Sequence, residues 1–66
     1  MLKGKVKSFD KDKGWGFIIV PHEGEIFVHY RGIEGSQRVL KAGQEVSLVI
    51  VQGKKGPQAA HVRILN

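Results

Sequence analysis

The chain has 66 residues, eleven Lys and Arg against six Asp and Glu for a net charge of +5, and no cysteine. That length suits one hydrophobic core in one domain, expected over 1–66 and stable by only ~3–5 kcal/mol, while the missing cysteines exclude disulfides and thiolate metal sites and suit a reducing cytoplasm. No run approaches the ~18 apolar residues of a membrane span, the start MLKGKVKSFD lacks the apolar middle of a secretory signal, and a basic surface this small attracts polyanions.

Glycine and turn residues cut the chain into short apolar or alternating runs. The first, LKGKVKSF at 2–9, puts Val6 inward and calls for Phe9 to be buried as well; that odd spacing predicts a bulge near Lys7 and Ser8. The turn DKDKG at 10–14 leads to WGFIIV at 15–20, and PHEG at 21–24 leads to EIFVHY at 25–30. Across 31–44 the glycines at 32, 35 and 43 leave room for a turn of 3₁₀ helix and nothing longer. Then come EVSLVIVQ at 45–52, the turn GKKGPQ at 53–58 and AAHVRIL at 59–65. Runs this short and this rich in β-branched and aromatic residues are strands. The fold class is therefore all-β, and a sheet this small buries one face and hides its edges by curling into a five-stranded antiparallel barrel. Its core is predicted to draw on Val6, Ile18, Val28, Ile33, Val46, Leu48, Ile50, Val62 and Ile64.

Side chains alternate faces along a strand. With Ile18 and Val28 inward, Trp15 and Phe17 share the outer face of the second strand, and Phe27 and His29 the outer face of the third. The short connection makes these strands a hairpin that sets the ring pairs side by side, with Lys5, Lys7 and Lys13 on the neighbouring strand and loop. One cross-strand aromatic pair does no more than stabilise a hairpin. Several rings opposite the core of a basic chain offer flat surfaces for unpaired bases and cations for their phosphates, as a single-stranded nucleic acid requires. Gly14 and Gly16 let an extended backbone approach closely.

The segments KGKVKSFDKDKGWGFI, EIFVHYRGI and GKKGPQAAHV together resemble a bacterial cold shock protein over nearly the whole chain. KGWGFI at 13–18 is similar to the first ribonucleoprotein motif of that family, and IFVHY at 26–30 to the second. The resemblance implies a barrel of the oligonucleotide/oligosaccharide-binding (OB) type. It further implies a non-enzymatic RNA chaperone that binds single-stranded RNA and DNA, pyrimidine-rich by preference, and takes part in the cold shock response and in regulating transcription and translation. Carried over residue by residue, it implies a binding face of Lys7, Lys13, Trp15, Phe17, Phe27, His29 and Tyr30, with Lys55 and Gln58 adding contacts at one end. Lys5, Ser8, Asp10 and Arg38 are further candidates. The chain departs from the family pattern at Ser8, where tryptophan is usual, at Asp10, where asparagine is usual, and in a slightly shorter loop, IEGSQRVL, that lacks the usual phenylalanine. Two ring platforms are thus missing from a chain more basic than many members, which shifts expected binding from stacking toward phosphate attraction, with Trp15 recovering part of the stacking surface.

Other groups carry less. His22, His29 and His61 fall on different elements and have no cysteine beside them, so no metal site is expected, and no cofactor is implied. Asp10 and Asp12 beside Lys11 and Lys13 read as a solvated turn, and no set of nucleophile, base and orienting group is present, so the chain is not read as an enzyme. It is expected to act as a cytoplasmic monomer, with Val49 or Val51 as the edge of a weak dimer in the alternative. Two rival functions stand beside single-strand binding: an SH3-like barrel on duplex DNA, and an interaction module whose aromatic patch holds a peptide.

Overall fold

A computed structural model describes residues 1–36, 38–54 and 56–65. The strands are β1 (Leu2–Asp10), β2 (Trp15–Val20), β3 (Gly24–His29), β4 (Glu45–Gly53) and β5 (Gly56–Ile64), with a 3₁₀ turn at Tyr30–Gly32 directly after β3. They close in the order β1-β2-β3-β5-β4. Four neighbouring pairs are antiparallel, as expected. The closing pair, β3 with β5, is parallel: Phe27 lies beside Gln58 and Val28 beside Ala59. An isolated parallel bridge from Ile33 to Val62 continues that contact into the following loop.

The predicted irregularity in β1 is present. Val6 pairs with Ile18 and Ser8 with Phe17, so Lys7 is the additional residue of a bulge. It turns the strand so that Val6 is buried and Phe9 packs half-buried against the core, in spite of their odd spacing. β5 has the same device: between Ser47 and Val49 of β4 the register slips against Arg63 and Ala60, and His61 within the slip has a φ of 51°. Ala59 and Val62 therefore both point inward.

The core contains Val6, Ile18, Val20, Ile26, Val28, Ile33, Leu40, Val46, Leu48, Ala59 and Val62. Two of the predicted core residues depart from this. Ile50, paired with the core residue Ala59, is only half-buried and packs against the cluster without being enclosed by it. Ile64 is 39% exposed, because it ends β5, beyond the level at which Val62 is enclosed. Leu40, which the sequence does not mark as core, joins Ile33 in entering it from the connection before β4. Val49 and Val51 flank Ile50 in an unbroken stretch of β4 and so share its outer face, with Val51 exposed and Val49 half-buried.

Candidate nucleic-acid interface

The hairpin of β2 and β3 places the rings. Its register sets Trp15 opposite His29 and Phe17 opposite Phe27, and β1 adds Asp10 opposite Trp15 and Ser8 opposite Phe17. The outer face thus has one lateral row of Ser8, Phe17, Phe27 and Gln58, and beside it a row of Asp10, Trp15 and His29. Between the large rings Gly16 is buried, and a Cβ there would run into the Ser8 carbonyl, so only glycine lets β1 and β2 pack this closely.

The rings support one another. Trp15, Phe17 and Phe27 have mutual centroid distances of 6.0 Å, with Phe17 edge-on to both neighbours and Trp15 tilted 31° from Phe27. These are favourable aromatic geometries. Phe17 and Phe27 are half-buried by this contact, while Trp15 is 36% exposed. His29 and Tyr30 form a second pair at 4.5 Å, and the Arg31 guanidinium lies 5.9 Å from the Tyr30 ring centre. The Arg31 amide donates to His29 Nδ1 at 3.3 Å, which orients the imidazole at the start of the 3₁₀ turn.

The turn from 10 to 14 fixes the approach to this surface. The Asp10 carboxylate accepts from the amides of Asp12 and Lys13 at 3.0 and 3.1 Å, and the Gly14 amide donates to the Asp10 carbonyl at 2.7 Å. Gly14 has a φ of 78°, and an added Cβ would meet the Tyr30 ring at 2.8 Å. Glycine here is required twice, by its left-handed backbone and by Tyr30. Asp10 is thereby a turn builder whose position in the row brings it beside Trp15.

The candidate cations take three positions around the rings. Lys13 and Arg38 flank a shallow cleft with Lys11, Gly14 and Tyr30 at one end of the ring surface. Lys7 reaches across β2 to Glu25, Nζ to Oε1 2.9 Å. Lys5 stands between Ile19 and Glu45, in a row beyond the rings and at the margin of the surface. Gln58 sits laterally beside Phe27 and lies against Gly53. Lys55 lies outside the described residues. Three features are not evident from the residues alone: the Glu25 partner of Lys7, the approach of Arg31 to Tyr30, and the part taken by Val39 and Lys41 in the wall beside Trp15. Only the second has a local signal, Arg31 following Tyr30 directly; the other two depend on long-range approaches across β2 and of loop to strand.

Away from this face, Glu34 accepts from His61 Nδ1 at 2.9 Å and from Arg63 Nε at 2.7 Å. The His61 hydrogen bond, helped by the hydrogen bond and charge of Arg63, holds the Glu34 carboxyl below its ordinary 4.5. His22, His29 and His61 lie in a turn, in β3 and in β5, and among the described residues no three His, Asp or Glu side chains gather as metal ligands. No helix among them is long and apolar enough to cross a membrane.

Residues 2–65, which span the barrel and its ring-bearing face, match the family model of the 'Cold-shock' DNA-binding domain. The chain belongs to that family. It is 51% identical over 65 residues to a cold shock-like protein of Thermotoga maritima, covering 97% of this chain and 98% of that one. It is 52% identical over 63 residues to cold shock protein CspB of Bacillus caldolyticus, 94% and 96% covered, and 51% identical over 63 residues to CspD of Bacillus subtilis, with the same coverage. Among solved structures it is similar to Drosophila Unr CSD456, with a TM-score of 0.80 at 20% identity; the match covers 98% of this chain and 26% of that one. That likeness bears on the fold, which is the five-stranded barrel expected of an OB-type domain. Family membership makes this a nucleic-acid-binding cold shock protein and sets aside the SH3-like alternative.

Proposed function

We propose that the outer face of β1, β2 and β3 binds single-stranded RNA and DNA, pyrimidine-rich by preference, and that the chain works in the cytoplasm as a monomeric RNA chaperone without catalysing a reaction. The ring cluster on the face opposite the core carries this reading. Bases stack on Trp15, Phe17, Phe27, His29 and Tyr30, each worth roughly 1–3 kcal/mol. Because the rings already hold one another in place, little side-chain freedom is lost when a strand arrives.

Lys7, Lys13, Lys55 and Arg38 supply charge to the backbone, with Gln58 beside the Phe27 base. The exposed Lys7–Glu25 pair is no obstacle, since surface ion pairs are worth ~0–1 kcal/mol and a phosphate replaces the carboxylate readily. Ser8 and Asp10 border the stacking rows without adding a ring, and Lys5 contributes long-range attraction only. Contacts of this kind are weak and exchange fast, which suits a protein that keeps RNA unpaired while leaving it accessible.

Competition between a single strand and a duplex of equal length tests the reading. Stacking on exposed rings needs unpaired bases, so the single strand is expected to win clearly; equal competition would contradict it. A pulldown with and without nuclease separates it from peptide binding, since partners held through RNA are lost on nuclease treatment and a directly bound peptide is retained.

A further inference from the structure

On the β1 side of Trp15 the ring surface drops into an open cleft of about 560 Å³. The short Ser8 side chain leaves it open on one side, Trp15 forms a wall and Val39 another, and Leu40, itself part of the core, contributes from below. Lys11 and Lys41 also line it. Its volume falls within the ~300–1,000 Å³ of small-molecule sites. Trp15 and Val39 are among the exposed large apolar side chains, at 36% and 44%. Asp10 lines the cleft as well, but its carboxylate is already engaged by two backbone amides, which blunts its repulsion of an anionic strand.

We propose that this cleft takes one nucleobase of the strand lying on the rings, turned off the stacking row and inserted between Trp15 and Val39, with its flanking phosphates near Lys11 and Lys41. The inference rests on the single-strand reading above and extends it by one base position. Continuity and charge argue for this occupant. Trp15 belongs both to the ring cluster and to the cleft wall, so a strand stacked on Trp15 and Phe17 passes the cleft mouth. The cations on the lining suit a polyanion, and a flat base matches the indole wall in a way that a branched aliphatic group does not. Where an aromatic side chain at position 8 would close this space, Ser8 leaves it for the ligand.

The test uses a thymidine heptamer and a set in which each position in turn is made abasic, bound to the full chain and to Ser8→Leu and Phe17→Ala variants. Ser8 is exposed, so Ser8→Leu narrows the cleft with a side chain that offers no ring, and a thermal melt confirms that it folds. The expected result is one position, next to the Trp15 stack, where base removal weakens binding about tenfold in the wild type, less than about twofold in Ser8→Leu, and about tenfold again in Phe17→Ala. Penalties that are the same at every position in Ser8→Leu and the wild type, with the intact heptamer still bound, would overturn the cleft alone. Failure of the wild type to bind the intact heptamer would overturn the single-strand reading and the cleft with it.

Discussion

On the inner face of the β2–β3 hairpin, Ile18, Val20, Ile26 and Val28 are at most 3% exposed, whereas on its outer face Trp15, Phe17 and Phe27 pack on one another, His29 pairs with Tyr30, and all four keep some exposure to water. The two faces share one backbone and one register, and alternate residues of the same strands build both. The inner side chains are aliphatic and mostly β-branched, shaped to fill a closed interior; the outer ones are flat. The proposed function puts stability and recognition on different sides of a hairpin only six residues deep on each strand, and substitutions should separate them.

The largest effect is expected on the inner side. Ile18→Ala leaves a cavity among Val6, Val28 and their neighbours and should cost about 2–5 kcal/mol of folding free energy. In a chain expected to be stable by only ~3–5 kcal/mol, that brings it close to unfolding at room temperature. Denaturant melts measure this, and a folded, stable variant would break the assignment of faces. Next in size, Phe17→Ala should weaken single-strand binding by roughly 1–3 kcal/mol and change the melting midpoint far less than Ile18→Ala does. Unfolding by Phe17→Ala with intact stability in Ile18→Ala would mean that the sheet is inside out.

A smaller change sharpens the outer side alone. Binding should weaken with salt at a log–log slope of about −0.7 per phosphate contacted, roughly −2 to −3 in all, and Lys13→Ala should make it shallower by about 0.7 without affecting folding. A flat salt dependence in the wild type would show that stacking outweighs charge. The smallest effect lies off both faces, at Glu34. Its carboxyl is held below 4.5 in the folded chain by His61 and Arg63, so the folded state binds fewer protons than the unfolded state between that lowered value and 4.5. The stability it adds is present above 4.5 and lost as pH falls through the folded value. Glu34→Gln should therefore melt slightly lower than wild type at pH 7, and the gap should shrink as pH falls below 4.5 toward the lowered value; a gap that does not shrink in acid would assign the difference to packing.

The parts of this architecture that depend on local spacing were legible in the residues. Turn glycines marked the strands, alternation assigned Ile18 and Val28 inward against Trp15 and Phe27, and the odd interval from Val6 to Phe9 announced the bulge at Lys7. Ala59 and Val62 carry the same odd interval, but alanine is too small to stand out as a core residue, and the bulge at His61 went unseen. The burial of Leu40 and the parallel contact of β3 with β5 depend on where a loop and two distant strands meet, which no local pattern records. For the same reason the ring cluster could be anticipated from two adjacent strands, while the cleft between Trp15 and Val39 could not, because residues 39–41 return to β1 from far along the chain.

The central claim is that the exposed rings receive unpaired bases, and Trp15, the only tryptophan, reports on it directly. Titration with a pyrimidine-rich single strand of about seven nucleotides, within the site size of one such barrel, should quench Trp15 fluorescence to saturation, while the same sequence as a duplex should leave it nearly unchanged. Saturable binding of the single strand with no change in Trp15 emission, or equal quenching by the duplex, would contradict the account.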